Sequence, residues 1–98
     1  MADAKALRKQ AGEFTSWWDR NQLSRAMGVT YLNGIQVRTA KLKGELSDAT
    51  NLDLASSIRR ILTDGMNNAR NISEARTTQQ WAVSRADRLL DRLRQGTC

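Results

Sequence analysis

The chain has 98 residues, of which 40% are hydrophobic and 27% are charged, and its net charge is +6. This length is that of one domain, and this composition excludes a disordered chain. No stretch approaches the roughly 18 consecutive apolar residues that a membrane-spanning helix needs, and the positive charge favours anionic partners such as nucleic acid or an acidic protein face.

Proline is absent, which favours an all-helical protein. In each half of the chain, mostly apolar or small residues recur at alternating steps of four and three, as in a helix that packs lengthwise on another helix. The first stripe consists of Ala4, Leu7, Ala11, Phe14, Trp18, Asn21, Arg25, Gly28, Leu32, Ile35, Thr39, Leu42 and Leu46. The second consists of Leu54, Ile58, Ile61, Gly65, Asn68, Ile72, Ala75, Gln79, Ala82, Ala86, Leu89 and Leu93.

These stripes predict an all-α protein, an antiparallel helical hairpin that folds over into a compact three- to four-helix bundle. The alternative is an extended two-helix coiled-coil hairpin that oligomerises, because a bare hairpin buries only one face of each helix. If the chain turns back near Thr50, residues whose numbers add to about 100 lie at one level, and large side chains such as Trp18 meet small ones such as Ala82.

In chain order, Asp3 caps a first helix that runs to about Met27. Glycine ends helices readily, so we predict a break at residues 28–30 and a second helix from there to Leu46. The polar segment 47–53 is the predicted turn, and Thr50 starts a third helix within it.

A second break is predicted at residues 65–73, where Gly65 and the neighbouring asparagines weaken the helix. A last helix then runs from Ser73 to about Gln95. Residues 1–98 are therefore expected to form a single helical domain.

Histidine is absent, so the commonest general base and the commonest nitrogen metal ligand are missing. The one cysteine, Cys98, has no partner for an internal disulfide, and no glycine-rich phosphate loop or metal-ligand cluster occurs. We therefore expect no enzyme activity, no metal, no cofactor and no small-molecule substrate. We expect a reducing cellular interior, namely the cytoplasm, or a virion if the protein is viral.

Four large residues border the two stripes: Trp17, Tyr31, Trp81 and Leu90. Such side chains either complete the interior of a bundle or anchor a partner. We predict that they dock on another protein or on copies of the chain, with the arginines steering towards an acidic surface. The chain would then be an assembly component, adaptor or inhibitor, of a type common among phage and mobile-element products.

Nucleic-acid binding is the alternative function. The segment Leu23-Ser24-Arg25-Ala26-Met27-Gly28-Val29-Thr30 resembles the first helix and turn of a helix-turn-helix motif. The resemblance covers residues 23–41 and implies that the helix from Tyr31 enters the major groove, where the bases and phosphates are contacted by Asn33, Gln36, Arg38 and Lys41. Ser24 and Gly34 depart from the motif, which usually has alanine and a buried branched residue there. The structural alternative is a glycine bend between bundle helices.

A second candidate nucleic-acid site is the arginine row Arg85, Arg88 and Arg92, which lies in line with Trp81 at helical spacing. Guanidinium groups at this spacing suit a phosphate backbone, and a tryptophan suits base stacking. The alternative is a solvated helix face on which nearby acidic residues neutralise the arginines.

Overall fold

Helical segments that run alternately up and down form an all-α bundle. The computed structural model describes residues 1–98 and consists of α1 (Ala2–Gly12), α2 (Phe14–Asn21), α3 (Arg25–Glu45), α4 (Ala49–Asn68) and α5 (Ile72–Arg94). α1 and α2 form one arm that is interrupted at Glu13, and the bundle measures 42 × 22 × 18 Å. The predicted all-α bundle is confirmed in its compact form, and the extended hairpin is not adopted.

The core lies between the α1–α2 arm and α4, both of which pack on α3 and α5. Its largest fully buried apolar side chains are Leu7, Phe14, Ile35, Leu42, Ile58, Leu62 and Leu89. All of these except Leu62 belong to the predicted stripes, so burial follows the heptad spacing closely. The core surrounds no cofactor-sized space, and the grooves of the molecule lie at its surface between neighbouring helices.

α3 runs through residues 28–30 without interruption, so the helix break predicted there is wrong. The chain turns earlier, at residues 22–24. Gly28 serves close packing instead, because a Cβ at this position would overlap the Asn21 side chain and lie 3.2 Å from the Met66 sulfur. Glycine therefore allows α2, α3 and α4 to approach one another at the end of the bundle that carries the 22–24 and 69–71 turns, which we call the upper end.

The other two turns have side-chain caps at the helices that follow them. Asp48, not Thr50, caps α4 by accepting a hydrogen bond from the Asn51 backbone N–H at 3.0 Å. Residues 69–71, inside the predicted range 65–73, connect α4 to α5. Asn71, not Ser73, caps α5 by accepting a hydrogen bond from the backbone N–H three residues later at 2.9 Å.

The level at which the arm meets α5 differs from the predicted one. Arg8 donates a hydrogen bond to Asp87 at 3.1 Å, and the Thr15 backbone N–H donates to Gln79 at 2.8 Å. The numbers in these pairs add to 95 and 94 instead of about 100, so the two segments are displaced by more than one helical turn of about 3.6 residues. The heptad stripes specify which helix faces pack together. The interruption at Glu13 and the turns determine which residues of the two segments lie side by side.

The lower end, where the α3–α4 turn lies, is held by hydrogen bonds among polar groups. Asn51 is fully buried, and its amide donates to the Thr97 carbonyl at 2.8 Å and accepts from Arg92 Nε at 2.6 Å. Arg92 also donates to the Asp48 carboxylate at 2.8 Å. The Cys98 carbonyl accepts two backbone N–H groups of the turn, at 2.7 and 2.9 Å. The last residues of the chain are thereby connected to the start of α4.

Candidate interaction surfaces

A groove of about 400 Å³ opens between the upper halves of α4 and α5. Ile61 and Gly65 line its α4 side, and Thr78 and Trp81 line its α5 side. The helices approach closely here, because a Cβ at Gly65 would overlap the Thr78 side chain. Trp81 exposes 57% of its surface at the edge of this groove. A large aromatic side chain therefore borders a concave, mainly apolar site, which we call the Trp81 groove.

The charged residues along the Trp81 groove are both acidic, Asp64 and Glu74. The Arg70 backbone N–H donates to the Glu74 carboxylate at 2.9 Å and the Arg70 guanidinium donates at 3.1 Å. These two hydrogen bonds, in that order of importance, hold the pKa of Glu74 below its usual value. The Glu74 carboxylate is therefore ionised at neutral pH, but Arg70 balances its charge, so Asp64 is the unpaired acidic residue beside the groove.

Two of the four predicted partner-binding residues belong to the core. Tyr31 and Leu90 expose only 6% and 5% of their surface, so neither is available to anchor a partner, which corrects that prediction. The Tyr31 hydroxyl donates to the Gln10 carbonyl at 2.7 Å, and burial raises the pKa of Tyr31. Positions beside the heptad stripe become interior because two neighbours cover each helix of a four-helix bundle.

Trp17, the third predicted anchor, is half-buried. Its ring lies 5.8 Å from that of Tyr31, and the guanidinium carbon of Arg20 lies 5.0 Å from the centroid of the Trp17 ring. The aromatic stack and the cation–π contact cover much of this indole. Trp81 is therefore the predicted anchor that the fold leaves most exposed.

The helix-turn-helix prediction is wrong. α3 begins at Arg25, inside the proposed first helix, and continues past Gly28. The residues assigned to base contacts also face different sides: Gln36 lines a groove beside α4, whereas the groove beside α1 is lined by Asn33, Arg38 and Lys41. Arg38 is further engaged by the buried Asp3 carboxylate at 2.6 Å, and Lys41 lies 3.9 Å from the same carboxylate. These side chains do not form one reading face.

The predicted arginine row divides into residues with different roles. Arg92 is bound to Asn51 and Asp48 at the lower end. Arg85 is half-buried and donates to the Trp81 carbonyl at 3.3 Å. Arg88 is exposed and forms no ion pair. The row therefore does not offer three free guanidinium groups in a line.

Three further cations, which the sequence analysis missed, lie on the same side of the bundle as Arg88. Lys43, Arg59 and Arg60 line a groove between α3 and α4, and Arg60 and Arg88 line a second groove between α4 and α5. We call these four residues the basic surface. One signal was present in the sequence: neither Lys43 nor Arg59 has an acidic residue three or four positions away that could neutralise it within its helix.

The outer side of α3 is apolar and uncovered. Val29 and Val37 expose 58% and 70% of their surface, and Asn33 and Ala40 are exposed beside them. We call these four residues the α3 outer face. From Arg25 to Gly44 the helix carries four basic residues and no acidic one. No helix of the chain covers the valines of this face, so the α3 outer face lacks a partner within the chain.

Comparisons with known protein families, with curated proteins and with solved structures give no significant match for this chain. Every helix is too short or too polar to cross a bilayer. The Trp81 groove, the basic surface and the α3 outer face are the surfaces from which a function can be proposed.

Proposed function

We propose that the chain is a non-catalytic helical assembly protein, in which the α3 outer face of one copy seats in the Trp81 groove of the next. The observation that carries this proposal is the exposure of Trp81, 57%, at the edge of an apolar groove. Tryptophan is among the residues that contribute most to protein–protein binding. An indole left in water beside a concave apolar site is typical of a docking position.

Charge and length favour contact between the two surfaces. Asp64, which forms no ion pair, borders the Trp81 groove, whereas Lys41, whose Nζ lies 3.9 Å from the Asp3 carboxylate, lies beside the α3 outer face. Opposite charges of this kind orient two molecules and speed their encounter. Val29 and Val37 are separated by about 12 Å along α3 at 1.5 Å per residue, so both side chains can contact one groove that follows α4 and α5.

The proposed contact is head-to-tail, because the two surfaces are different patches of the same chain. Such a contact leaves a free groove at one end of a dimer and a free α3 outer face at the other. Further copies add until a ring closes or an open chain forms. We therefore expect species larger than a dimer, whose share increases with protein concentration.

Sedimentation velocity over a range of protein concentrations tests the proposal. Trp81→Ala removes the anchor of the groove, and Val37→Ser removes an apolar side chain of the α3 outer face, so each variant should sediment mainly as a monomer. A mixture of the two variants should form dimers, since each retains the surface that the other lacks. Leu23→Ser is the matched control, because Leu23 exposes 92% of its surface but belongs to neither surface.

A single species of 11.0 kDa at every concentration of the natural chain would contradict the proposal. Self-association that Trp81→Ala leaves unchanged would also contradict it, because another surface would then be responsible.

A further inference from the structure

We infer that the basic surface binds the phosphate groups of a nucleic-acid backbone, a function separate from the self-association proposed above. Its four cations come from three helices, and the grooves that they line, of about 380 and 410 Å³, share Ser56 and Arg60. The surface therefore extends over the outer side of α4 from α3 to α5. Neighbouring helix axes lie about 8–10 Å apart, so the cations are spread too widely for one phosphate ion and suit successive phosphates.

The cations of the basic surface have no carboxylate partner. The six ion pairs of the molecule engage Arg8, Arg38, Lys41, Arg70, Arg92 and Arg94, none of which belongs to this surface. Asp53 and Asp64 border its grooves, and neither forms an ion pair. The guanidinium groups of Arg59 and Arg60 are therefore free to donate to phosphate oxygens.

Hydroxyl groups surround these cations. The grooves are also lined by Thr39, Thr50, Ser56, Ser57 and Thr63. Serine and threonine, with lysine and arginine, are residue types that commonly contact phosphates. Thr39 exposes only 2% of its surface, and its hydroxyl has no hydrogen-bond partner in the chain. Because that hydroxyl is enclosed by the chain, the phosphate contacts fall to Thr50, Ser56, Ser57 and Thr63, which are exposed or half-buried.

The composition of the surface favours a nucleic-acid backbone over a lipid bilayer or an acidic protein. Ala40 and Leu54 are the apolar residues that line its grooves, and Leu54 is 7% exposed. The surface therefore has no apolar wedge to enter a membrane and no aromatic anchor for a protein partner. It also has no aromatic ring on which a base could stack. Contacts limited to phosphates predict binding that is independent of base sequence and sensitive to salt.

Fluorescence anisotropy with a labelled random-sequence DNA duplex of about 20 base pairs, at about 50 to 200 mM salt, tests this inference. The double variant Arg59→Gln/Arg60→Gln should lower the slope of log affinity against log salt by about 2, because each lost phosphate contact removes about one released counterion. The matched control is Arg25→Gln/Arg76→Gln, which removes the same charge from exposed arginines outside both grooves. The control should keep the slope of the natural chain.

Absence of DNA binding by the natural chain at about 50 mM salt would overturn the inference. An equal decrease of the salt slope in the double variant and in its control would also overturn the inference. The net charge, and not this surface, would then be responsible for DNA binding. Tighter binding to phosphatidylcholine–phosphatidylserine vesicles than to the duplex would show that the surface recognises a membrane instead.

The inference and the proposed function can fail separately. Trp81→Ala should bind DNA with the salt dependence of the natural chain, and Arg59→Gln/Arg60→Gln should self-associate as the natural chain does. Circular dichroism of each variant establishes that its helices are intact, so a loss of binding is assigned to the surface and not to unfolding.

Discussion

The lower end of the bundle is closed by polar groups that are buried together. Asn51 has no exposed surface and connects Arg92 to Thr97 through hydrogen bonds of 2.6 and 2.8 Å. Arg92 in turn reaches the Asp48 carboxylate, which caps α4. Hydrogen bonds of this kind require defined distances and angles. The lower end therefore has one arrangement in which every group of the network is satisfied.

The upper end is closed mainly by packing. Leu23, Met27 and Ile72 remain exposed there, at 92%, 41% and 39%. The Trp18 indole N–H donates to the Ala69 carbonyl at 3.3 Å and so connects α2 to the α4–α5 turn. Contacts among apolar groups are less directional than hydrogen bonds. The lower end therefore specifies how the helices are paired, while the upper end leaves apolar surface for other contacts.

Removing the central amide of the lower end should have the largest effect on stability. Asn51→Ala leaves Arg92 Nε and the Thr97 carbonyl without their partner and creates a small cavity, so we expect a loss of about 2–4 kcal/mol in the free energy of unfolding. Urea denaturation measures this loss. Asn67→Ala, at an exposed position of the upper end, is the control and should change the value by less than about 0.5 kcal/mol. Equal losses of unfolding free energy in the two variants would show that the polar network does not make the lower end more sensitive than the upper end.

Adding a methyl group in the upper half should have the next largest effect. In Gly65→Ala the new Cβ overlaps the Thr78 side chain and lies 3.0 Å from Phe14 Cζ, so α4 and α5 must separate. We expect a loss of about 1–3 kcal/mol, measured by urea denaturation. Gly44→Ala is the control: nothing lies within 4 Å of its Cβ, and alanine favours helix by up to about 1 kcal/mol. A stable Gly65→Ala chain would show that the upper end tolerates a shift of its helices.

Acid should weaken the lower end gradually, with a smaller effect. The Asn51 backbone N–H and then the Arg92 guanidinium hold the pKa of Asp48 below its ordinary value of 3.8. Because the pKa is lower in the folded chain than in the unfolded one, the stabilisation is complete above this value and is lost as the pH falls below it.

The measurement is the free energy of unfolding between about pH 5 and pH 2.5. Asp48→Asn should show a shallower decline than the natural chain, although not a flat one. Asp3, whose pKa is lowered chiefly by its hydrogen bond to Arg38, still contributes in the same range. If the free energy of unfolding declined identically in the natural chain and in Asp48→Asn, the Asp48 carboxylate would not stabilise the lower end.

The sequence predicted those parts of the fold that depend on the spacing of residues within one helix. It did not predict those that depend on contacts between residues far apart in the chain. Heptad spacing identified most of the core. The helix break at Gly28 was wrongly predicted because a glycine that ends a helix and a glycine that admits Asn21 and Met66 look alike in a sequence. Only the folded chain brings those two side chains to the same place.

The candidate surfaces were predictable to a smaller extent. Tyr31, Trp81 and Leu90 all lie beside the stripes, but the side on which a neighbouring helix packs decides that Tyr31 and Leu90 are buried and Trp81 is exposed. The basic surface depends on bringing Lys43 and Arg88 to the two sides of α4, although they are far apart in the chain. A residue pattern within one helix does not show which residues of other helices will lie beside it.

The three tryptophans lie in three different surroundings, which gives the molecule an intrinsic optical signal. Trp18 is buried, Trp17 is half-buried beneath Arg20, and Trp81 is largely in water. Emission from Trp81 should lie at the longest wavelength and move to the blue when a second copy covers its groove. DNA on the basic surface should leave that emission band in place, since no aromatic residue belongs to this surface. Unlabelled protein in a single cuvette would then report assembly without responding to nucleic acid.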